Sequence, residues 1–224
     1  MPNVLVFDVN ETLLDISVLD PEFARVFGNA EMRRVWFAQF IQNALLSIIA
    51  DTYEPFGVIG GAAIEQVAAR WGVSLAPDDK TKIMGGLKTL PPHPEVPHAL
   101  EQLRAAGFRL CALTNSVQAV ADAQMTNSGL APLMEKIFSA DSVKRLKPAR
   151  APYEFAAREM GVKISEIRMI AAHAWDVTGA LRAGAHAGFI ARPNMALDPL
   201  APRPDIIGKD LQEVAEKIIA QRGA

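Results

Sequence analysis

Five short apolar runs recur along the chain, at Val4–Asp8, Phe108–Leu113, Ile137–Ser139, Met169–Ala172 and Ala187–Ile190. They lack the strict polar alternation of a half-exposed strand, which predicts fully buried strands of the parallel-sheet type. Between and after them, Pro97–Ala106, Ala119–Asn127, Pro152–Met160, Thr178–Ala183 and Asp210–Gln221 read as helices. Strands alternating with helices predict an α/β fold, a parallel sheet with helices on both faces. Catalytic groups in such sheets collect at the carboxyl ends of the strands.

From Asp15 to Pro91 the alternation breaks. Ala30–Ala50 is long and helix-like, with Trp36, Phe37, Phe40, Leu45 and Ile48 among its apolar positions. Gly61–Trp71 and Asp78–Leu87 also read as helices, and nothing between them resembles a strand. Residues 15–91 are therefore expected to form an all-helical insertion over the end of the first strand. Residues 1–14 and 92–224 are left to build the sheet. The stretch LPPHPEVP, Leu90–Pro97, is too rich in proline for a helix and reads as a stiff return linker.

Composition narrows the function. The chain has 224 residues, 50% apolar and 21% charged, which suits a globular core with a smaller insertion. Its formal net charge is -2 and it has no basic block, which argues against a nucleic-acid or membrane-surface partner. Cys111 is the single cysteine, so an internal disulfide and a multi-cysteine metal site are both excluded, and a reducing compartment is expected. Its place inside a strand suggests inert core. Met1–Val9 is too short and too uncharged for a signal peptide. No apolar run approaches the roughly 20 residues that span a bilayer. A cytoplasmic location is expected.

Asp8 ends the first strand, where its carboxylate should meet the crevice at the sheet's edge. Taken alone it reads equally as a turn or helix-capping aspartate. Three further strand ends carry chemistry: Thr114, Asn115 and Ser116 in LTNS, Lys147 in LKP, and His173, Trp175 and Asp176 in AAHAWD. A surface lysine is the plain alternative for Lys147, and a helix cap for Asp176. His93, His98 and His186 show no partner spacing and receive no role.

In this order the four segments resemble the haloacid dehalogenase-like superfamily, whose motifs are a nucleophilic Asp, a Ser/Thr, a Lys and a late acid. The resemblance covers the whole chain and implies a Rossmann-like core of residues 1–14 and 92–224 with a helical cap of residues 15–91. Phosphatases of this superfamily read DxDxT, and their second Asp protonates the leaving alcohol. Asn10 stands at that position here, and an amide cannot serve as that acid. Phosphatases also hold Mg²⁺ with an acidic pair, of which Ala172 replaces the first member, four residues before Asp176. A hard octahedral cation thereby loses much of its site. A halide leaving group needs neither proton donor nor metal.

Finer matches resemble the L-2-haloacid dehalogenase (type II) branch. Its late motif ends in Trp-Asp, like Trp175-Asp176, and it carries a Tyr shortly after the Lys, like Tyr153. It also places a halide-receiving Arg on the first cap helix, for which Arg33 is the better match and Arg34 the runner-up, and a cap aromatic lining the pocket, Phe56 here. Two departures concern the pocket. Asn10 stands where the branch has Tyr, and Ala171 and His173 replace a Ser-Asn pair.

The resemblance implies hydrolysis of short 2-haloalkanoic acids to 2-hydroxy acids, without cofactor or metal. Asp8 would form a covalent ester, and Lys147 would keep it ionised. Thr12 and Thr114 would hold carboxylate oxygens, and Asn115 the substrate carboxylate. Asp176 would position or deprotonate the hydrolytic water, and Arg33 would receive the halide ion. His173 would donate to substrate or halide or relay to the water, with Asn10, Phe56, Tyr153 and Trp175 around the substrate. Relatives of this type are often homodimers. A phosphatase and a non-catalytic binding protein on the same scaffold stay open as alternatives.

Overall fold

The computed structural model describes residues 2–222. After β1 (Val4–Phe7) come four helices, α1 (Asp20–Phe27), α2 (Met32–Ile49), α3 (Phe56–Trp71) and α4 (Asp79–Gly86). The α/β alternation then runs α5 (Val96–Ala105), β2 (Arg109–Thr114), α6 (Gln118–Asn127), β3 (Lys136–Ser139), α7 (Arg150–Glu159), β4 (Ile167–Ala171), α8 (Ala174–Ala183) and β5 (His186–Ile190). It closes with β6 (Ile206–Gly208) and α9 (Leu211–Arg222).

The six strands form one sheet in the order β3-β2-β1-β4-β5-β6, every neighbour parallel. β1 lies centrally, paired with β2 on one side and β4 on the other, and all four of its residues are buried. That is why Val4–Phe7 is apolar without alternation. The chain builds outward from β1 to β3, then crosses back to β4. This reversal opens the crevice at the ends of β1 and β4, where ligands bind in sheets of this type.

Helices cover both faces of the sheet, as expected. Leu100 and Leu103 of α5 pack with Val214 and Ile218 of α9 over Leu5 and Phe7. Tyr153 and Ala156 of α7 and Val177 and Ala180 of α8 pack over Val6 and Met169. The first cluster runs without a break into Trp36, Phe40 and Ile64 of the helical insertion, which anchors that insertion over the crevice. α3 approaches α2 closely at Gly60, where a Cβ would stand 2.6 Å from the Phe40 ring. Trp36 Nε1 donates to the Gly60 carbonyl across the same contact, at 2.9 Å.

Two elements escaped the sequence reading. α1 begins at a proline and ends on Gly28 in the left-handed region, an ordinary pair of helix punctuation marks. β6 is three residues of a proline-rich tail, too short for a pattern, and pairing with β5 makes it a strand. Among the described residues, no helix is long and apolar enough to cross a membrane.

Candidate active site

Asp8 is the first residue past β1, and its backbone N–H still donates to Ile170 of β4, at 3.0 Å. The carboxylate is buried and meets three donors. Thr12 Oγ1 donates to Oδ2 at 2.7 Å, His173 Nδ1 lies 3.1 Å from the same oxygen, and Lys147 Nζ donates to Oδ1 at 2.9 Å. Thr12 in turn accepts the N–H of Ala172 at 3.0 Å, tying the turn after β1 to the end of β4. Arg192 donates to the Thr12 carbonyl through two nitrogens, at 2.7 and 3.1 Å, and pairs with Glu95 at 2.9 Å.

Lys147 is wholly buried between two carboxylates, 2.9 Å from Asp8 and 2.6 Å from Asp176. Its backbone is held on both sides by the Asn115 side chain, which accepts its N–H at 2.7 Å and donates to its carbonyl at 3.1 Å. Asp176 lies in the first turn of α8, and its second oxygen accepts the Tyr153 hydroxyl at 2.6 Å. The helix can come this close because Gly179 has no side chain. A Cβ there would stand 2.4 Å from Pro148 and 2.6 Å from the Tyr153 oxygen.

The electrostatics follow from burial opposed by pairing. Burial works against ionisation of Asp8, but Lys147 and the hydrogen bond from His173 overcome it and hold the carboxyl well below the usual range. Burial would strip the proton from Lys147, and Asp176 and Asp8 together keep it on. Burial raises Asp176 above its ordinary value, and Lys147 only partly offsets this. His173 is also pulled down by burial, yet hydrogen bonds to Asp8 and Glu11 push it up to about 10. Near neutral pH it is an imidazolium.

Its surroundings suit that charge. Nε2 lies 2.9 Å from a Glu11 oxygen, and the ring is stacked between Trp175 and Phe37, at 5.1 and 5.8 Å between centroids. Phe37 belongs to α2, so the ring joins the helical insertion to the sheet. Because the folded chain binds this proton more tightly than an unfolded histidine, its stabilisation is present in full below about pH 6.5 and fades as pH rises toward 10. Urea denaturation should therefore show wild type losing its margin over His173→Asn between pH 6 and pH 9.5. A margin independent of pH would mean that His173 is neutral in the folded protein.

Arg33 is buried and lies against Asp20 through Nε and 3.5 Å from Glu11. Arg34 is half exposed and pairs with Glu31 at 2.6 Å; both arginines border the cavity beside α2, and Arg33 is the one that also contacts Glu11. Glu11 links Arg33 to His173, and sequence reasoning missed it. It adopts φ 59°, a left-handed conformation that non-glycine residues seldom take and that marks functional turns. Its signal was visible, since it is the only ionisable residue between Asp8 and Thr12. Arg192, which fixes the Thr12 turn from 180 residues away, had no local signal.

A cavity of about 780 Å³ lies between α2 and the sheet's edge, bordered by Glu11, Arg33, Phe37, His173, Trp175 and Arg192. Asp8 does not itself border the cavity and reaches it through the lining His173, 3.1 Å from its Oδ2. Several expected residues sit elsewhere. Phe56 packs at a tilt against Phe40 inside the helical layer, 4.1 Å between centroids, and Phe37 takes its place at the cavity. Asn10 accepts a hydrogen bond from the buried Gln124 amide at 2.8 Å, away from the cavity. Thr114 accepts the Ser116 N–H at 3.2 Å, so His173 and not Thr114 is the further donor to Asp8. Asn115 bonds the Lys147 backbone and Tyr153 bonds Asp176, and neither residue lines the cavity. Asp176 is fully buried, with both oxygens engaged, and does not border the cavity.

A divalent cation, which phosphatases on this fold carry, does not fit these residues. Lys147 and the His173 ring lie 2.9 and 3.1 Å from the Asp8 oxygens, where their charge opposes a further cation, and position 172 offers only alanine. Among the described residues no group of three or more His, Cys, Asp or Glu side chains is arranged to hold a metal.

Residues 2–184 match the family model of haloacid dehalogenase-like hydrolases. The (S)-2-haloacid dehalogenase 2 of Pseudomonas sp. (strain CBS-3) is 26% identical over 212 residues, 94% of this chain and 93% of that one. The haloacetate dehalogenase H-2 of Moraxella sp. (strain B) is 27% identical, covering 90% and 91%. In fold, the L-2-haloacid dehalogenase from Xanthobacter autotrophicus with chloropropionic acid covalently bound superposes with a TM-score of 0.90 at 20% identity, over 97% of this chain and 98% of that one. The chain belongs to the haloacid dehalogenase-like hydrolase family, and the relatives it resembles are (S)-2-haloacid and haloacetate dehalogenases.

Proposed function

We propose that this chain hydrolyses the carbon–halogen bond of short 2-haloalkanoic acids through a covalent ester on Asp8, without a metal. The observation that carries the reading is the buried, ionised Asp8 carboxylate, whose Oδ1 accepts from Lys147 alone while Oδ2 accepts from two donors. Oδ1 therefore keeps a lone pair for attack. It bonds to C2 from behind as the carbon–halogen pair leaves with the halide, and Arg33 offers that anion a cationic seat. The relatives' names, (S)-2-haloacid and haloacetate dehalogenases, support the same reaction.

Ester hydrolysis then falls to residues on the cavity. Water adds to the Asp8 carboxyl carbon, and the carbonyl electrons move onto Oδ2, where Thr12 and the His173 imidazolium donate. The water's proton passes to Glu11, the carboxylate beside His173. Collapse breaks the bond from the carboxyl carbon to Oδ1, and the departing alkoxide takes the proton back from Glu11 as the 2-hydroxy acid leaves. The proton left on the new Asp8 carboxyl goes to solvent, so the halide leaves with one proton overall. Asp176, with Tyr153 behind it, serves as a positioning residue that holds Lys147.

The same reading takes residues 15–91 as a cap domain over a core of residues 1–14 and 92–224, in a cytoplasmic enzyme. Leu46 and Ile49, exposed on α2, offer a face that a second copy would cover in a homodimer. A panel of chloroacetate, 2-chloropropionate and p-nitrophenyl phosphate, each with excess EDTA, tests the reaction. Halide release unaffected by chelation is expected, with phosphate release at background. Phosphate release restored by Mg²⁺ would return the phosphatase reading, and silence on every substrate the non-catalytic one.

A further inference from the structure

The cavity is larger than the proposed short substrates need. Pockets of roughly 300–1,000 Å³ enclose drug-sized ligands, and this one, at about 780 Å³, falls within that class. A two- or three-carbon acid would occupy only the end formed by Glu11, Arg33 and His173. The remainder is of another character. Phe37, Ile41 and Leu45 lie four residues apart along α2 and so share one helix face, and Ile41 and Leu45 stay half-buried on the cavity wall. Pro193 and Met195, from the loop after β5, also line it. The cavity thus has a charged end beside Asp8 and a mainly apolar wall leading away from it, interrupted on α2 by Arg34 and Gln42. A ligand with an anionic head and an apolar tail matches both.

Resting on the dehalogenase reading and extending it beyond short acids, we propose that the favoured substrates are 2-halo acids with an unbranched alkyl tail laid along the Phe37–Ile41–Leu45 face. The eight-residue rise from Phe37 to Leu45, about 12 Å, accommodates acids of about six to eight carbons. Each methylene removed from water contributes a few-fold in affinity, so the gain grows with chain length until the wall ends.

Bromide release from 2-bromopropionate, 2-bromohexanoate and 2-bromooctanoate tests this on the whole chain, with calorimetric binding of propionate, hexanoate and octanoate beside it. From 2-bromopropionate to 2-bromohexanoate, kcat/KM is expected to rise about 30-fold. Octanoate is expected to bind more tightly than propionate. Ile41→Trp, which fills the groove, and Leu45→Glu, which charges it, should each reduce the ratio of hexanoate to propionate activity about tenfold or more, and Leu46→Glu should leave that ratio unchanged. The two bear on the wall by different physics, so loss of one variant to misfolding leaves the other decisive. Turnover of 2-bromopropionate with a flat or falling chain-length series would overturn the tail groove and leave the reaction standing. Tighter binding of octanoate, lost in Leu45→Glu, with no bromide released from any acid would keep the groove and overturn the reaction.

Discussion

Asp8→Asn is expected to lower turnover by about 10⁴-fold or more, because a neutral amide cannot supply the attacking oxygen. The fold should survive, since Thr12 can still donate to the amide oxygen. The covalent route has a second consequence. In a single turnover with excess enzyme in ¹⁸O-water, the product's new hydroxyl oxygen comes from Asp8, and solvent oxygen enters the Asp8 carboxyl. Mass spectrometry should find unlabelled 2-hydroxy acid and a labelled Asp8 peptide, with inverted configuration for a chiral substrate. Label in the product of that first turnover would mean that water attacks carbon directly, with Asp8 as its base.

Lys147→Met is expected to remove activity and also to cost roughly 3–5 kcal/mol of stability, the range for breaking a buried ion pair from one side. Lys147 alone separates Asp8 from Asp176, and both are buried. Without the ammonium, burial and the facing carboxylate push protons onto the pair, so Asp8 loses the charge that makes it a nucleophile. Urea denaturation at neutral pH measures the stability loss. Adding Asp176→Asn to Lys147→Met should recover part of that loss by removing the second uncompensated charge, with activity still absent. A stable single variant that retains turnover would show that Asp8 is kept ionised by His173 and Thr12 alone.

Much of this protein could be read from its pattern. Val4–Asp8 and the four other apolar runs became strands of one parallel sheet, because a strand buried on both faces must be apolar throughout and must end where polar residues can reach the crevice. The absence of strand-like runs over residues 15–91 was equally legible, and that span folds as helices α1–α4 with the start of the return linker. Asp8, Thr12, Lys147 and His173 were legible because each follows a strand or its turn, and their order along the chain is a local property. Asn10 and Ala172 were legible as replacements of acids, but that Asn10 turns toward the buried Gln124 could be known only from the fold.

The rest was decided by contacts between distant segments. Nothing local distinguishes Asn115 as a support for the Lys147 backbone, or Asp176 as a buried partner of Lys147 and Tyr153 with no opening to the cavity. Phe37 and Phe56 have the same chemistry, and only the packing of α2 against α3 puts the first on the cavity and the second behind Phe40. His173 shows the division most clearly. The sequence by itself determined that a histidine follows β4. Its charge came from tertiary structure, which buries the ring between Phe37 and Trp175 and sets a carboxylate at each nitrogen, so that pairing outweighs desolvation. A protonation state is a balance of distances to groups far apart in the chain, and those distances exist only once the chain has folded.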